Sequence, residues 1–175
     1  MNVPYNIAVI GGSHADDTHL RLAYSVGRLL ATRNAIVICG GLTGVMESVA
    51  RGVNSKGGIC IGILPGDDPA EGNSFLTVRI PTGIGYARNF LIIRASDAVI
   101  AIDGSSGTIS EASFAMTEGK SVISLDSFKL AKSKDGDGEF IEAASAADAV
   151  KHAISAAASH RRGRNLHSDG SRFDP

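Results

Sequence analysis

The 175-residue chain predicts a doubly wound α/β fold, a parallel sheet with helices on both faces forming a single domain. Two observations carry this expectation. Short apolar runs alternate with helical patterns, and most of the runs are continuously apolar, as strands covered on both faces are. Three of them end in glycine turns, Gly11-Gly12, Gly40-Gly41 and Gly104 to Gly107, each leading into the start of a helix. In a doubly wound sheet such exits share one rim, and ligands bind there.

Asn6 to Ile10 (NIAVI) is the first expected strand. A helix follows from Asp16 to Arg33, with Leu20, Leu22, Val26, Leu29 and Leu30 at its apolar positions. Ala35 to Cys39 (AIVIC) is the second strand. The next helix carries Val45, Met46, Val49 and Val53, is capped by Thr43 and closes at Gly57-Gly58. Met46 is expected to face the core. Ile59 to Leu64 is the third strand, stopped by Pro65-Gly66, and 67–74 is a polar loop. Phe75 to Ile80 is the fourth strand, Ile84 to Ala95 a helix, and Asp97 to Ile102 the fifth strand. A helix opening at Thr108 ends near Gly119, and Ser121 to Leu125 is the sixth strand. The expected strand order is 3-2-1-4-5-6. Lys129 to Gly138 is a charged, flexible insertion. Ser145 and Asp148 cap a last helix that runs to about His160, where His160, Arg161 and Arg162 suit the helix dipole. The domain is expected to span 1–162, with 163–175 a flexible tail.

Composition narrows the function. A net charge of −1, no tryptophan and 5% aromatic residues give no support for a nucleic-acid or membrane-surface partner. No signal peptide and no bilayer-spanning run is visible, so the chain is expected to be soluble and cytoplasmic. Cys39 and Cys60 fall on neighbouring strands, offset so that they should lie too far apart to bridge, and both read as reduced core residues. Two cysteines make no metal set, and no metal is expected.

The chemistry centres on Ala98 to Met116. Between strand and helix lies the turn Asp103 to Gly107, in which four of the five residues are Gly or Ser. Such a turn lets backbone N–H groups approach a ligand, and the helix start adds positive potential, which together make a phosphate site. Glu111 has two possible roles. Thr108-x-x-Glu111 matches a capping box, in which Glu111 only caps the helix. Alternatively, Glu111 is a functional carboxylate beside the anion site. The first turn, Gly11-Gly12-Ser13-His14, is not G-x-G-x-x-G, and the second strand ends without an acidic residue. Both features argue against a dinucleotide enzyme.

Two segments carry a family resemblance. One is Gly40-Gly41-Leu42-Thr43-Gly44-Val45-Met46 with Gly57-Gly58 and Ile61-Gly62-Ile63-Leu64-Pro65. The other is Arg88, then Asp97 to Ile102, then Gly107-Thr108 and Glu111. Together they resemble the LOG-like superfamily, and within it the branch of molybdenum-cofactor carrier proteins. The resemblance implies a Rossmann-type fold and homodimers or higher homo-oligomers. It implies either phosphoribohydrolase chemistry on nucleoside monophosphates or, in the carrier branch, binding of a phosphorylated pterin. The superfamily's P-G-G-x-G-T-x-x-E loop reads Asp103-Gly104-Ser105-Ser106-Gly107-Thr108 and Glu111 here. Its arginine is Arg88, its lysine is replaced by Asn89, and the His and Glu just before the arginine are Tyr86 and Ala87. These departures favour binding over catalysis.

The expected function is therefore binding of a phosphorylated nucleotide or pterin-type small molecule, with molybdenum cofactor as a possible bound ligand and no required cofactor. The alternative is a nucleoside 5′-monophosphate phosphoribohydrolase. Expected ligand residues are Gly11, Gly12, Ser13, Gly40, Gly41, Thr43, Arg88, Gly104, Ser105, Ser106, Gly107 and Thr108. Glu111 and Arg88 would be catalytic in the alternative.

Overall fold

The computed structural model describes residues 3–131 and 136–167. Among these residues seven strands form one sheet: β1 (Asn6–Gly11), β2 (Ile36–Cys39), β3 (Cys60–Leu64), β4 (Val78–Pro81), β5 (Ala98–Ile102), β6 (Val122–Leu125) and β7 (Phe140–Ala143). All neighbours pair in parallel, in the order β4-β3-β2-β1-β5-β6-β7. Five α-helices of the described residues cover it: α1 (Asp17–Thr32), α2 (Val45–Asn54), α3 (Asn89–Arg94), α4 (Ser106–Thr117) and α5 (Ala146–His167). This is the expected doubly wound α/β fold. No helix among the described residues is long and apolar enough to cross a membrane.

The continuous apolar runs follow from two cores, one on each face. Ile7, Val9, Val37, Ile100 and Ile102 pack with Val26 and Leu30 of α1, Val49 of α2 and Ala153 of α5. The intervening Ala8, Ile10, Val99 and Ala101 pack on the other face with Ile92 and Ile93 of α3 and Ala112 and Met116 of α4. Side chains of a strand alternate between faces, so a strand covered on both must be apolar throughout. Asp16 caps α1, its carboxylate accepting from the N–H groups of Thr18 and His19 at 2.9 Å each. The expected cap of α5 is present: Ser145 Oγ accepts from Asp148 N–H at 3.2 Å, and Asp148 accepts from Ala144 N–H at 3.1 Å.

The strand order corrects one expectation. The fourth strand does not neighbour the first; β4 lies at the edge beside β3, and β5 pairs with β1 from Ile7↔Ala98 to Gly11↔Ile102. Burial explains the choice. All four residues of β4 are exposed and it ends in Pro81, which suits an edge, whereas all five residues of β5 are buried and need cover on every side. The expected helix from Ile84 to Ala95 is a 3-10 turn, Gly85–Arg88, followed by the short α3. β7 is an additional strand. The last helix continues past His160 and Gly163 to His167. The rest of the expected tail, and 132–135 of the expected insertion, lie outside the described residues.

Cys39 and Cys60 are both buried and free, as expected, but they are not far apart: their sulfurs lie 4.0 Å from each other. Cys60 pairs in register with Val37, two residues before Cys39, so both side chains point to the same face and lean together. The backbone offset, with roughly 3.3 Å rise per residue and about 4.8 Å between strands, still leaves the Cα atoms beyond disulfide range.

Candidate functional site

The helices after β1 and β5 lie on opposite faces of the sheet, α1 on one and α4 on the other. The loops leaving these paired strands therefore diverge and open a crevice at the topological switch point. A cavity of about 170 Å3 occupies it. Gly11, Gly12 and Ser13 wall it from the end of β1, and Gly40 from the end of β2. Ser105, Gly107, Thr108 and Glu111 wall it from the start of α4, and Arg88 reaches in from the turn before α3. The structure thus brings together nine of the residues singled out in the sequence, drawn from four separate segments.

Four others lie off the cavity. Gly41, at φ +74°, packs against Leu64 and Gly62. Its carbonyl accepts from the Asn73 backbone and side-chain N–H groups at 2.9 and 3.1 Å. Thr43 does not cap α2, whose N-cap is Gly44 with no side-chain bond; its hydroxyl instead donates to Ser13 O at 3.0 Å and ties two rim loops together. Gly104 turns against Phe128 and Ser127. Ser106 is the first residue of α4 and faces solvent.

The capping-box reading of Glu111 is overturned. α4 begins at Ser106, with Ser105 as a N-cap that makes no side-chain bond. Thr108 is then the third helical residue and Glu111 the sixth, and both are buried. The turn is shorter than expected because Ser106 and Gly107 join the helix. Glu111 is instead a carboxyl in the cavity wall. Burial pushes its pKa up to about 7, and the positive charge of Arg88 only partly opposes this.

Arg88 is 6% exposed. Its guanidinium lies against Gly40, where a Cβ would stand 2.6 Å from Nη1 and 2.7 Å from Nη2. Glycine at position 40 is what lets the arginine reach the rim. Among the described residues Arg88 makes no ion pair, and its Nε is buried without a hydrogen-bond partner. Burial lowers its pKa, opposed first by Glu111. A guanidinium stays charged even so, and a buried cation that makes no direct ion pair favours an anionic ligand. Asp103 adopts φ +57°, and its Oδ2 lies 3.1 Å from where a Cβ on Gly12 would be. Its carboxylate borders the first glycine turn rather than the cavity.

Leu42, Met46, Tyr86 and Asn89 also line the cavity. Met46 is buried in the core, as expected, and reaches the cavity floor as well. Tyr86 stands two residues before Arg88 and Asn89 directly after it, and that nearness was the available signal for them. No group of three or more His, Cys, Asp or Glu residues among those described is placed to hold a metal ion.

Known proteins resemble this chain in sequence or in fold. An uncharacterized protein of Archaeoglobus fulgidus is 47% identical over 119 residues, covering 68% of this chain and 78% of that protein. The molybdenum cofactor binding protein of Rippkaea orientalis superposes with a TM-score of 0.80 at 31% identity, over 87% of this chain and 97% of that one. The molybdenum cofactor carrier protein of Chlamydomonas reinhardtii gives a TM-score of 0.79 at 28% identity, over 89% and 99%. Residues 4–154 match the SLOG cluster4 family. With the two halves of the resemblance now meeting in one rim crevice, the chain belongs to the SLOG cluster4 family, within a LOG-like superfamily that has a molybdenum-cofactor carrier branch.

Proposed function

We propose that the rim cavity binds a phosphorylated nucleotide or pterin-type compound, with molybdenum cofactor as candidate cargo. The observation that carries this reading is Arg88, a buried guanidinium lining the cavity, with an unpartnered Nε and no ion pair among the described residues. Its planar fork suits phosphate. The first N–H groups of α4 have no partner within the helix and add to the same anion site. A Cβ on Gly107 would meet nothing nearer than Ser105 Oγ at 3.9 Å, so the backbone there is open to a ligand. Glu111, with its pKa near 7, is about half protonated at neutral pH and then does not repel an anion. The relatives named for molybdenum cofactor support the same ligand class.

A second reading is favoured by one observation. A buried carboxyl with a pKa of about 7 in the cavity wall suits general acid or base work, as cleavage of an N-glycosidic bond requires. Glu111 would then activate water or stabilise an oxocarbenium-like sugar while Arg88 holds the 5′-phosphate.

We further propose a homodimer. Leu91 of α3 and Ile109 of α4 are exposed apolar side chains outside both the Arg88 cavity and the neighbouring cavity at Phe90, and a second copy of the chain would cover them.

The test is incubation with AMP, IMP and neopterin monophosphate, measuring binding by calorimetry and release of free base and ribose 5-phosphate. Saturable binding without release is the expected result. Release that disappears in Glu111→Gln would establish the hydrolase instead. Absence of both binding and release would remove the proposal.

A further inference from the structure

Asn89 follows Arg88 and opens α3, and it lines two adjoining cavities. One is the Arg88 cavity. The other, of about 310 Å3, is walled by Tyr86, Ala87 and Phe90 and shares Gly107 and Glu111 with the first. The two differ in character. The first holds the buried cation; the second is bounded by aromatic surface. Phe90 is fixed there by an edge-on contact with Phe114, centroids 4.6 Å apart and planes at 72°, while Tyr86 is 90% exposed and free to cover a ring.

Asn89 Oδ1 is buried and has no hydrogen-bond donor among the described residues. A buried amide oxygen without a donor is a group the fold has left for something else to satisfy. It cannot be satisfied by phosphate, which offers only acceptors when ionised. Arg88 Nε, one residue earlier, has the opposite need. The two unpartnered atoms therefore ask for a ligand with an anion on one side and an N–H or O–H donor on the other. The lysine that stands here in the related pattern has no acceptor at all. Asn89 replaces a second cation by a neutral group able to read a ring edge.

We propose that Asn89 selects the ligand's ring: its side-chain oxygen accepts a hydrogen bond from a ring N–H, so the site prefers phosphorylated heterocycles that carry such a donor over rings of the same shape that lack it. The proposal rests on the binding reading above. The occupant's phosphate lies at Arg88 and its ring extends toward Tyr86 and Phe90. Asn89 is thus a specificity residue and not part of the phosphate grip.

The test uses three probes. Inosine 5′-monophosphate carries a ring N–H, nebularine 5′-monophosphate has the same bicyclic ring without one, and ribose 5-phosphate has no ring base. Dissociation constants are measured for the wild type, Asn89→Leu, Asn89→Ala and Arg88→Met, with circular dichroism checking each fold. The wild type should bind the inosine compound roughly three- to tenfold more tightly than the nebularine compound, the range of one neutral hydrogen bond. Asn89→Leu and Asn89→Ala should erase that preference and leave ribose 5-phosphate binding within about twofold. A wild type that does not distinguish the two nucleotides overturns the proposal. So does an Asn89 variant that keeps the preference or weakens all three probes equally. Failure of the underlying reading looks different: the wild type binds none of the three, or Arg88→Met binds all of them as the wild type does.

Discussion

Replacing Glu111 by glutamine keeps the volume of the side chain and removes its proton equilibrium, and the variant should be more stable than the wild type at alkaline pH. An unfolded chain releases the Glu111 proton near the ordinary 4.5, whereas the native state holds it to about 7. The native state thus binds more protons across that window, and its stability falls as pH rises from 4.5 to 7. Below 4.5 both states are protonated and there is no penalty; above 7 the penalty is complete. Its size is about 3 kcal/mol, from the displacement of the pKa and the free energy that each step of it represents. For a domain of this length that is about 6–12 °C in Tm. Glutamine carries no such penalty. Thermal melts followed by circular dichroism at pH 4.5 and pH 8.5 provide the assay. Wild type and variant should melt within about 2 °C of each other at the lower pH and diverge at the higher, with the variant the more stable. An equal difference at both values would show that Glu111 does not titrate from a buried site. A variant less stable at pH 8.5 would show that its carboxylate is held by a partner stronger than Arg88. Ligand affinity should follow the same proton: anion binding to the wild type should weaken above pH 7, and binding to Glu111→Gln should not.

Gly107→Val should leave Tm unchanged or slightly raised, because the new side chain enters open space at a helical position, yet lower affinity for a phosphorylated ligand at least roughly tenfold by filling the approach to the backbone. Gly40→Ala should weaken binding with a stability cost of about 1–3 kcal/mol, because its Cβ would stand 2.6 Å from both Arg88 Nη1 and Met46 Sδ and displace the guanidinium. Arg161→Met should cost about 3 kcal/mol in urea unfolding, because it strips the buried Asp97 of an ion pair at 2.5 Å; adding Asp97→Asn should recover part of the loss.

The fold was legible where physics leaves little choice. β1 and β5 are apolar on both faces because two cores press on them, and glycines follow β1 and β2 because Arg88, Val45 and Ile102 crowd their Cα atoms. The position of β4 was less legible. A run such as Phe75 to Ile80 reads as a strand, but only the exposure of Val78 to Pro81 sends it to the edge. β7 was missed because Phe140–Ala143 is short, includes Glu142 and follows a charged segment that reads as loop. At the site, Thr108-x-x-Glu111 imitates a capping box by spacing alone. Where the helix starts decides the matter, and small residues such as Ser106 and Gly107 fit a turn and a first helical turn equally well. The role of Arg161 was half visible: it lies late in α5, as the dipole favours, but its partners are remote in sequence, Asp97 from mid-chain and Val3 and Pro4 from the opposite end.

The proposed phosphate grip is the buried Arg88, which has no ion-pair partner among the described residues. It is tested most directly by calorimetric titration of wild type and Arg88→Met with neopterin monophosphate and inosine 5′-monophosphate. Saturable binding of at least one compound by the wild type, weakened at least roughly tenfold in Arg88→Met while its fold persists, is the expected result. Equal affinity in both proteins, or no binding by the wild type, would contradict the claim.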